Sequence, residues 1–144
     1  MTKPSYITHA RVVGGRGGHG RTTDGRLEVD LRLPQEFGGD GAGTNPEQLF
    51  AVGYAACFSS VLTMLGQRRK LEAGDAVVDS TVMLIPRSDG TFRLGAKLDV
   101  TLPSIANPQQ VADLVRGAHE LCPYSRATRG NIDVVLVVNG TAIE

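Results

Sequence analysis

The sequence predicts an α+β fold in a single domain, residues 1–144, with a mostly antiparallel sheet. Three observations lead there. Segments that alternate between apolar and polar residues come in adjacent pairs, as the strands of hairpins do. Two stretches with helical signals separate them, each opened by an asparagine followed by proline, Asn45-Pro46 and Asn107-Pro108. The 144 residues contain no internal repeat, low-complexity tract or long linker that would divide them.

Residues 6–13 and 27–33 alternate and are expected to form two strands, joined by the glycine-rich stretch 14–25. A second glycine-rich loop, 38–43, leads into Thr44-Asn45-Pro46-Glu47. This reads as a helix start, with Thr44 or Asn45 as the cap and Glu47 beside the positive dipole end. The helix should run to about Lys70. Strands at 76–86 and 92–102 follow, turned by Arg87-Ser88-Asp89-Gly90. After Asn107, the spacing of Val111, Leu114, Val115 and Ala118 predicts a second helix. Pro123 stops it and leaves Cys122 at its C-terminal end. Residues 132–138 form a last strand, so the expected order is β-β-α-β-β-α-β.

Fifteen basic and fifteen acidic residues cancel, which argues against nucleic acid as a partner. With no Trp and 5% aromatics, the core must rest on Val, Leu, Ala and Ile, and a shared dimer core would help it. Residues 1–13 lack the apolar run of a signal peptide, so a cytoplasmic location is expected. There, a pair of cysteines is more often catalytic or redox-sensing than a structural staple. Residues 49–66 are apolar enough to raise the question of a membrane span. Gly53, Tyr54, Ser59, Ser60 and Thr63 interrupt the run and no second anchor exists, so a buried helix and no membrane contact are expected.

Two cysteines, Cys57 and Cys122, are the candidates for chemistry. A lone cysteine inside a buried helix is ordinarily a small core hydrophobe. To react as a thiolate, Cys57 needs a cation nearby, because mid-helix it gains nothing from either dipole end. Arg11, Arg16, Arg21, Arg26 and Arg32 are available, and Arg16 and Arg21 lie in a loop that could fold over a pocket. That loop fits neither a dinucleotide fingerprint nor a P-loop, and alone it reads as a surface turn. Cys122, at a helix C-terminus, should be the less acidic thiol and better suited to resolve an oxidised Cys57. Glu47 stands ten residues before Cys57, a rise of about 15 Å. It can influence the sulfur only through an intermediary or across a dimer, and otherwise simply complements the helix start. His119-x-x-Cys122, with His9 and His19 elsewhere, falls short of a metal site, so no metal is expected. Ser59, Ser60 and Ser125 lack a nucleophile elbow, and a Cys-His hydrolase would need His19 or His119 beside Cys57.

Three segments together resemble the organic hydroperoxide resistance (Ohr) branch of the Ohr/OsmC superfamily. They are Gly14-Gly15-Arg16, the run from Gly43-Thr44-Asn45-Pro46-Glu47 through Ala55-Ala56-Cys57-Phe58, and Cys122-Pro123-Tyr124-Ser125-Arg126-Ala127-Thr128-Arg129-Gly130-Asn131-Ile132. The resemblance implies an OsmC-like fold, an intertwined homodimer with two central helices, and a thiol peroxidase of the bacterial cytoplasm. It makes Cys57 the peroxidatic and Cys122 the resolving cysteine, which pair as a disulfide. It makes Arg16 the active-site arginine and Glu47 the carboxylate that holds it. The family loop reads Gly-Gly-Arg-Asp-Gly-Arg, whereas here Gly17-Gly18-His19-Gly20 separates the arginines, which leaves Arg21 as an alternative. A dihydrolipoyl group on a carrier protein, or free dihydrolipoamide, is the implied reductant.

The residue chemistry is compatible with that assignment. A thiolate attacking an O–O bond needs a cation to stabilise the departing alkoxide, and a nearby thiol protects the resulting sulfenic acid. Phe50, Tyr54 and Phe58, with Leu49, are expected to form an apolar substrate-binding surround suited to alkyl or fatty-acid hydroperoxides. No flavin, haem or nicotinamide motif is present, so no cofactor is expected and electrons come from an external dithiol. Two other readings are an OsmC-type general peroxidase and a non-catalytic lipid-binding or redox-sensing dimer.

Overall fold

The computed structural model describes residues 2–143. The chain forms two compact units, one up to Leu49 and one from Phe50 onward. The first holds a three-stranded antiparallel sheet in the order β1 (Ala10–Val13), β2 (His19–Thr22), β3 (Glu28–Asp30). The second holds a four-stranded sheet, β4 (Val77–Pro86), β5 (Phe92–Thr101), β6 (Val134–Val138) and β7 (Thr141–Ile143), in that order. The helices are α1 (Pro46–Arg68), whose first residues belong to the first unit, then α2 (Pro108–Leu121) and the short α3 (Pro123–Thr128). The α+β class stands.

The glycine-rich stretch between the first two expected strands is not a simple connection. It contains β2, which pairs with both β1 and β3. Gly20 sits on the central strand of the sheet, pairing with Val12 and Val29. Before β2 comes a 3-10 turn, Gly15–Gly17, entered through Gly14 (φ 85°) and Gly15 (φ 57°) in the left-handed region that glycine adopts without a Cβ penalty. Arg32 clamps this turn by donating to the carbonyls of Gly17 and Gly18, and the Leu31 N–H bonds the Gly18 carbonyl as well. The expected flexible loop is therefore a pinned turn.

The start of α1 settles the choice of cap, since Asn45 Oδ1 accepts from the Gln48 N–H at 2.8 Å. The helix ends at Arg68, two residues before the expected Lys70. Lys70 takes a left-handed conformation (φ 57°) and Leu71 N–H returns to the Gly66 carbonyl, which satisfies the open helix end. By length and composition α1 could cross a membrane, with a mean hydropathy of 1.7. One face, carrying Tyr54, Phe58, Val61, Leu62, Leu65 and Gly66, is packed into the hydrophobic core.

In the second unit, β4 and β5 form the expected hairpin, with Gly90 (φ 86°) in the turn and Asp89 Oδ1 accepting from the Thr91 N–H. Asn107 caps α2 by accepting from Gln109 and Gln110, and Val111, Leu114, Val115 and Ala118 are the buried face, as the spacing predicts. Pro123 departs from expectation. It ends α2 and also opens α3, because proline is preorganised for the first position of a helix. The α2–α3 segment is the crossover that lets β6 lie parallel to β5, the one parallel pair among the described strands. Phe58 and Leu62, Leu98 and Val100, and Leu114 and Val115 fill the core with no exposed surface, each contributing about 1.5–3 kcal/mol by burial.

Candidate active site

Cys57 and Cys122 are both free thiols, and their sulfurs lie 3.6 Å apart in a weak S–H···S hydrogen bond. Cys57 comes from the middle of α1 and is partly buried. Cys122 is fully buried against the core. Helix periodicity turns Cys57 toward the face it shares with Tyr54 and Phe58, while the α2–α3 junction delivers Cys122. Cys122 closes α2 and at the same time caps α3.

Burial is the main influence on Cys57 and pushes its thiol above the ordinary range, with the neighbouring Cys122 adding to the rise. The backbone N–H of Tyr124, in the first turn of α3, acts the other way by hydrogen-bonding the sulfur. This donor went unseen in the sequence, since a backbone amide has no residue signature. A proline directly after Cys122 was the available sign that a new helix, with free N–H groups, begins there. Gly53 makes room for the same residue, because a Cβ there would lie 2.8 Å from Tyr124 Oη.

Arg16 and Glu47 meet in the first unit. The two guanidinium nitrogens of Arg16 donate to the two carboxylate oxygens of Glu47 at 2.9 and 2.7 Å, a bidentate pair. Each holds the other charged, since the hydrogen bond from Arg16 lowers the Glu47 pKa and the hydrogen bond to Glu47 raises that of Arg16. Arg16 is 44% exposed and Glu47 19%, so the pair is worth no more than about 1 kcal/mol in stability. What it fixes is the direction of the guanidinium. Glu47 is therefore more than a complement to the helix end. Arg21, the alternative, lies in β2 opposite Arg11.

The three expected substrate residues separate. Tyr54 and Phe58 have no exposed surface and belong to the core, so they lie beneath the surface rather than on it. Phe50 is partly buried and stacks edge-on against Tyr54, 5.7 Å between ring centroids, with Tyr124 6.0 Å from it. Phe50 and the 38%-exposed Tyr124 are thus the aromatic rings of this cluster that reach the surface. Of the histidines weighed as ligands or bases, His119 hydrogen-bonds Ser125 and His19 is held between two carboxylates. Among the described residues no group of three His, Cys, Asp or Glu side chains could hold a metal ion.

Both ring nitrogens of His19 face carboxylates, Nδ1 at 2.9 Å from Asp30 and Nε2 at 2.8 Å from Glu28, and the protonated ring donates to both. These carboxylates, Asp30 first, raise its pKa above 6.5, while His19 lowers that of Asp30. A raised basic group stabilises fully below its ordinary pKa and loses that contribution as pH rises through the raised value. The lowered Asp30 loses its share as pH falls. The clamp between β2 and β3 should thus be closed in mildly acid to neutral solution and loosen on the alkaline side. NMR titration should place His19 above 6.5 and return it toward 6.5 in Glu28→Gln/Asp30→Asn; an unshifted His19 in the parent protein contradicts the clamp.

A mixed α+β chain with two free cysteines in contact defines a class of small thiol redox proteins. The chain belongs to the OsmC-like family, whose model, described as OsmC-like protein, matches residues 38–137. Within it the chain groups with organic hydroperoxide resistance proteins. It is 43% identical over 138 residues to the organic hydroperoxide resistance protein of Xanthomonas axonopodis pv. citri, covering 94% of this chain and 96% of that one. Among solved structures it is similar to an organic hydroperoxide resistance protein of Legionella pneumophila, with a TM-score of 0.90, 46% identity and coverage of 94% and 98%. The organic hydroperoxide resistance protein OhrB of Bacillus subtilis is another, with a TM-score of 0.84, 40% identity and coverage of 92% and 98%.

Proposed function

We propose that this protein is a thiol-dependent peroxidase that reduces organic hydroperoxides to alcohols. The observation that carries the reading is the 3.6 Å approach of the Cys57 and Cys122 sulfurs, about 1.5 Å longer than a disulfide bond. In the first step the Cys57 thiolate attacks the terminal peroxide oxygen. An S–O bond forms, the O–O bond breaks, and the alkoxide leaves and takes up a proton. In the second step the Cys122 sulfur attacks the Cys57 sulfenic acid. The S–S bond forms, and hydroxide leaves with the Cys122 proton as water. A dihydrolipoyl dithiol then exchanges with the disulfide, returning both thiols and becoming a cyclic disulfide.

Because burial holds the Cys57 proton, the reaction needs a positive charge when the thiolate and alkoxide form. Arg16, aimed by Glu47, takes that role. The cytoplasm, where a dithiol pool is available, suits this chemistry. A homodimer is supported by the exposed apolar side chains of Val12, Val13 and Val52 and by the resemblance described above. A second copy that covered them would supply the shared core.

The test is steady-state consumption of cumene hydroperoxide and hydrogen peroxide with dihydrolipoamide as reductant, alongside light scattering. We expect the organic peroxide to be consumed at least tenfold faster and the mass to be twice that of one chain. Equal rates would favour the OsmC-type general peroxidase. Absence of turnover by reduced protein would remove the enzyme reading, and a single-chain mass would remove the dimer.

A further inference from the structure

We propose that Tyr54, Ser125 and His119 form a buried polar latch that positions Cys122 for its attack on the oxidised Cys57. The inference rests on the two-cysteine reading above and concerns its second step. Tyr54 lies three residues before Cys57 on α1, and Ser125 three residues after Cys122 on α3. Their hydroxyls meet at 2.7 Å with no solvent exposure at either residue. The Ser125 hydroxyl is also 2.9 Å from His119 Nδ1, and His119 sits three residues before Cys122 on α2.

The three side chains thus tie α1, α2 and α3 together one helical turn from the sulfur pair. Tyr54 Oη also lies 3.5 Å from the Thr128 hydroxyl on α3, and its ring packs against Phe50 and Tyr124, so the bond to Ser125 is the shorter of its two polar contacts with that helix. The polarity can be satisfied throughout. Burial keeps His119 below its ordinary pKa, so the neutral imidazole accepts from Ser125, and Ser125 accepts from the Tyr54 hydroxyl.

A hydrogen bond wholly inside an apolar core is directional where the surrounding contacts are not. Apolar packing discriminates less sharply between neighbouring rotations of a short helix than a directional bond does. The Oη–Oγ bond selects the one that leaves Cys122 at 3.6 Å from Cys57 and the Tyr124 N–H on the Cys57 sulfur. Tyr54 and Ser125 do not touch the reacting atoms. They act through the placement of Cys122, which makes them positioning residues.

The experiment uses the full-length reduced protein and one equivalent of cumene hydroperoxide. Stopped-flow fluorescence of a sulfenic-acid-trapping probe follows the first step, and loss of free thiol follows the second. Mass spectrometry then measures Cys57 sulfinic acid at rising peroxide. Tyr54→Phe and Ser125→Ala each remove one hydroxyl, and both should keep the first-step rate within about twofold. Disulfide formation should slow by about tenfold and the sulfinic fraction should rise in step. His119→Ala, at a partly exposed position, should fold in any case and slow the second step by a smaller factor. Folded variants that resolve at the parental rate, with no rise in sulfinic acid, overturn the latch. A parental protein that forms no disulfide with peroxide instead overturns the two-cysteine reading, and the latch falls with it.

Discussion

Replacing Cys57 with serine should reduce organic peroxide turnover by about 10⁴-fold or more, because a serine hydroxyl in the same place has neither the thiolate population nor the nucleophilicity. Cys122→Ser should behave differently. Its first step should proceed, consuming one equivalent of peroxide, and turnover should then stall. With no thiol 3.6 Å away, the sulfenic acid persists and continues to sulfinic acid as peroxide is added. Rapid-quench mass spectrometry of both variants separates the roles. Full turnover by the Cys57→Ser protein would falsify the proposed mechanism. Equal losses at the first step in both variants would show that the cysteines act as a unit and not in sequence.

The second large effect is expected at Arg16. Removing a preorganised cation from a developing oxyanion costs about 10²–10³ in rate, near 3–4 kcal/mol, and Arg16→Ala should lose that much in kcat/KM. Arg16→Lys should recover little, since an ammonium cannot match both Glu47 oxygens as the guanidinium does at 2.7 and 2.9 Å. Glu47→Gln keeps the charge on Arg16 and loosens its aim, so about a tenfold loss is expected. Arg21→Ala should leave kcat/KM within twofold. If Arg21→Ala shows the large loss and Arg16→Ala does not, the cation has been assigned to the wrong arginine.

The parts of the molecule that could be read from the sequence are those where side-chain period and burial agree. The four buried positions of α2 follow from spacing alone, and its asparagine cap is a local rule with a local cause. β2 was hidden because Gly20 counts as a turn residue in any propensity reading, while in the structure it is a strand position among Val12, Val29 and Leu31. α3 was hidden by Pro123, which ends one helix and begins another, and only the tertiary crossover shows that it does both. Cys57 and Cys122 stood out by residue type, and their contact across 65 positions was implied only by the family resemblance.

Arg16 was preferred over Arg21 because it directly follows Gly14-Gly15, although the loop differs from the family pattern. The left-handed glycines and the Arg32 clamp define the turn that carries Arg16, and the variants above test the assignment. Tyr54 and Phe58 were expected in the apolar surround of the substrate by residue type, and the helix turns both inward, with no exposed surface.

The separation of the two cysteines has a further consequence. In an unfolded chain, closing a loop of 65 residues costs about 4 kcal/mol in entropy, and here the fold has already brought the ends together. Each thiol therefore meets the other at an effective concentration that a free thiol in solution does not match. A monothiol that opened the Cys57–Cys122 bond would find its mixed disulfide cut again by the cysteine it had just released. A donor carrying two thiols on one short arm escapes that reversal, because its own second sulfur competes on equal terms. In the proposed cycle, cysteines held this close favour an electron donor that carries two sulfurs over one that carries a single sulfur.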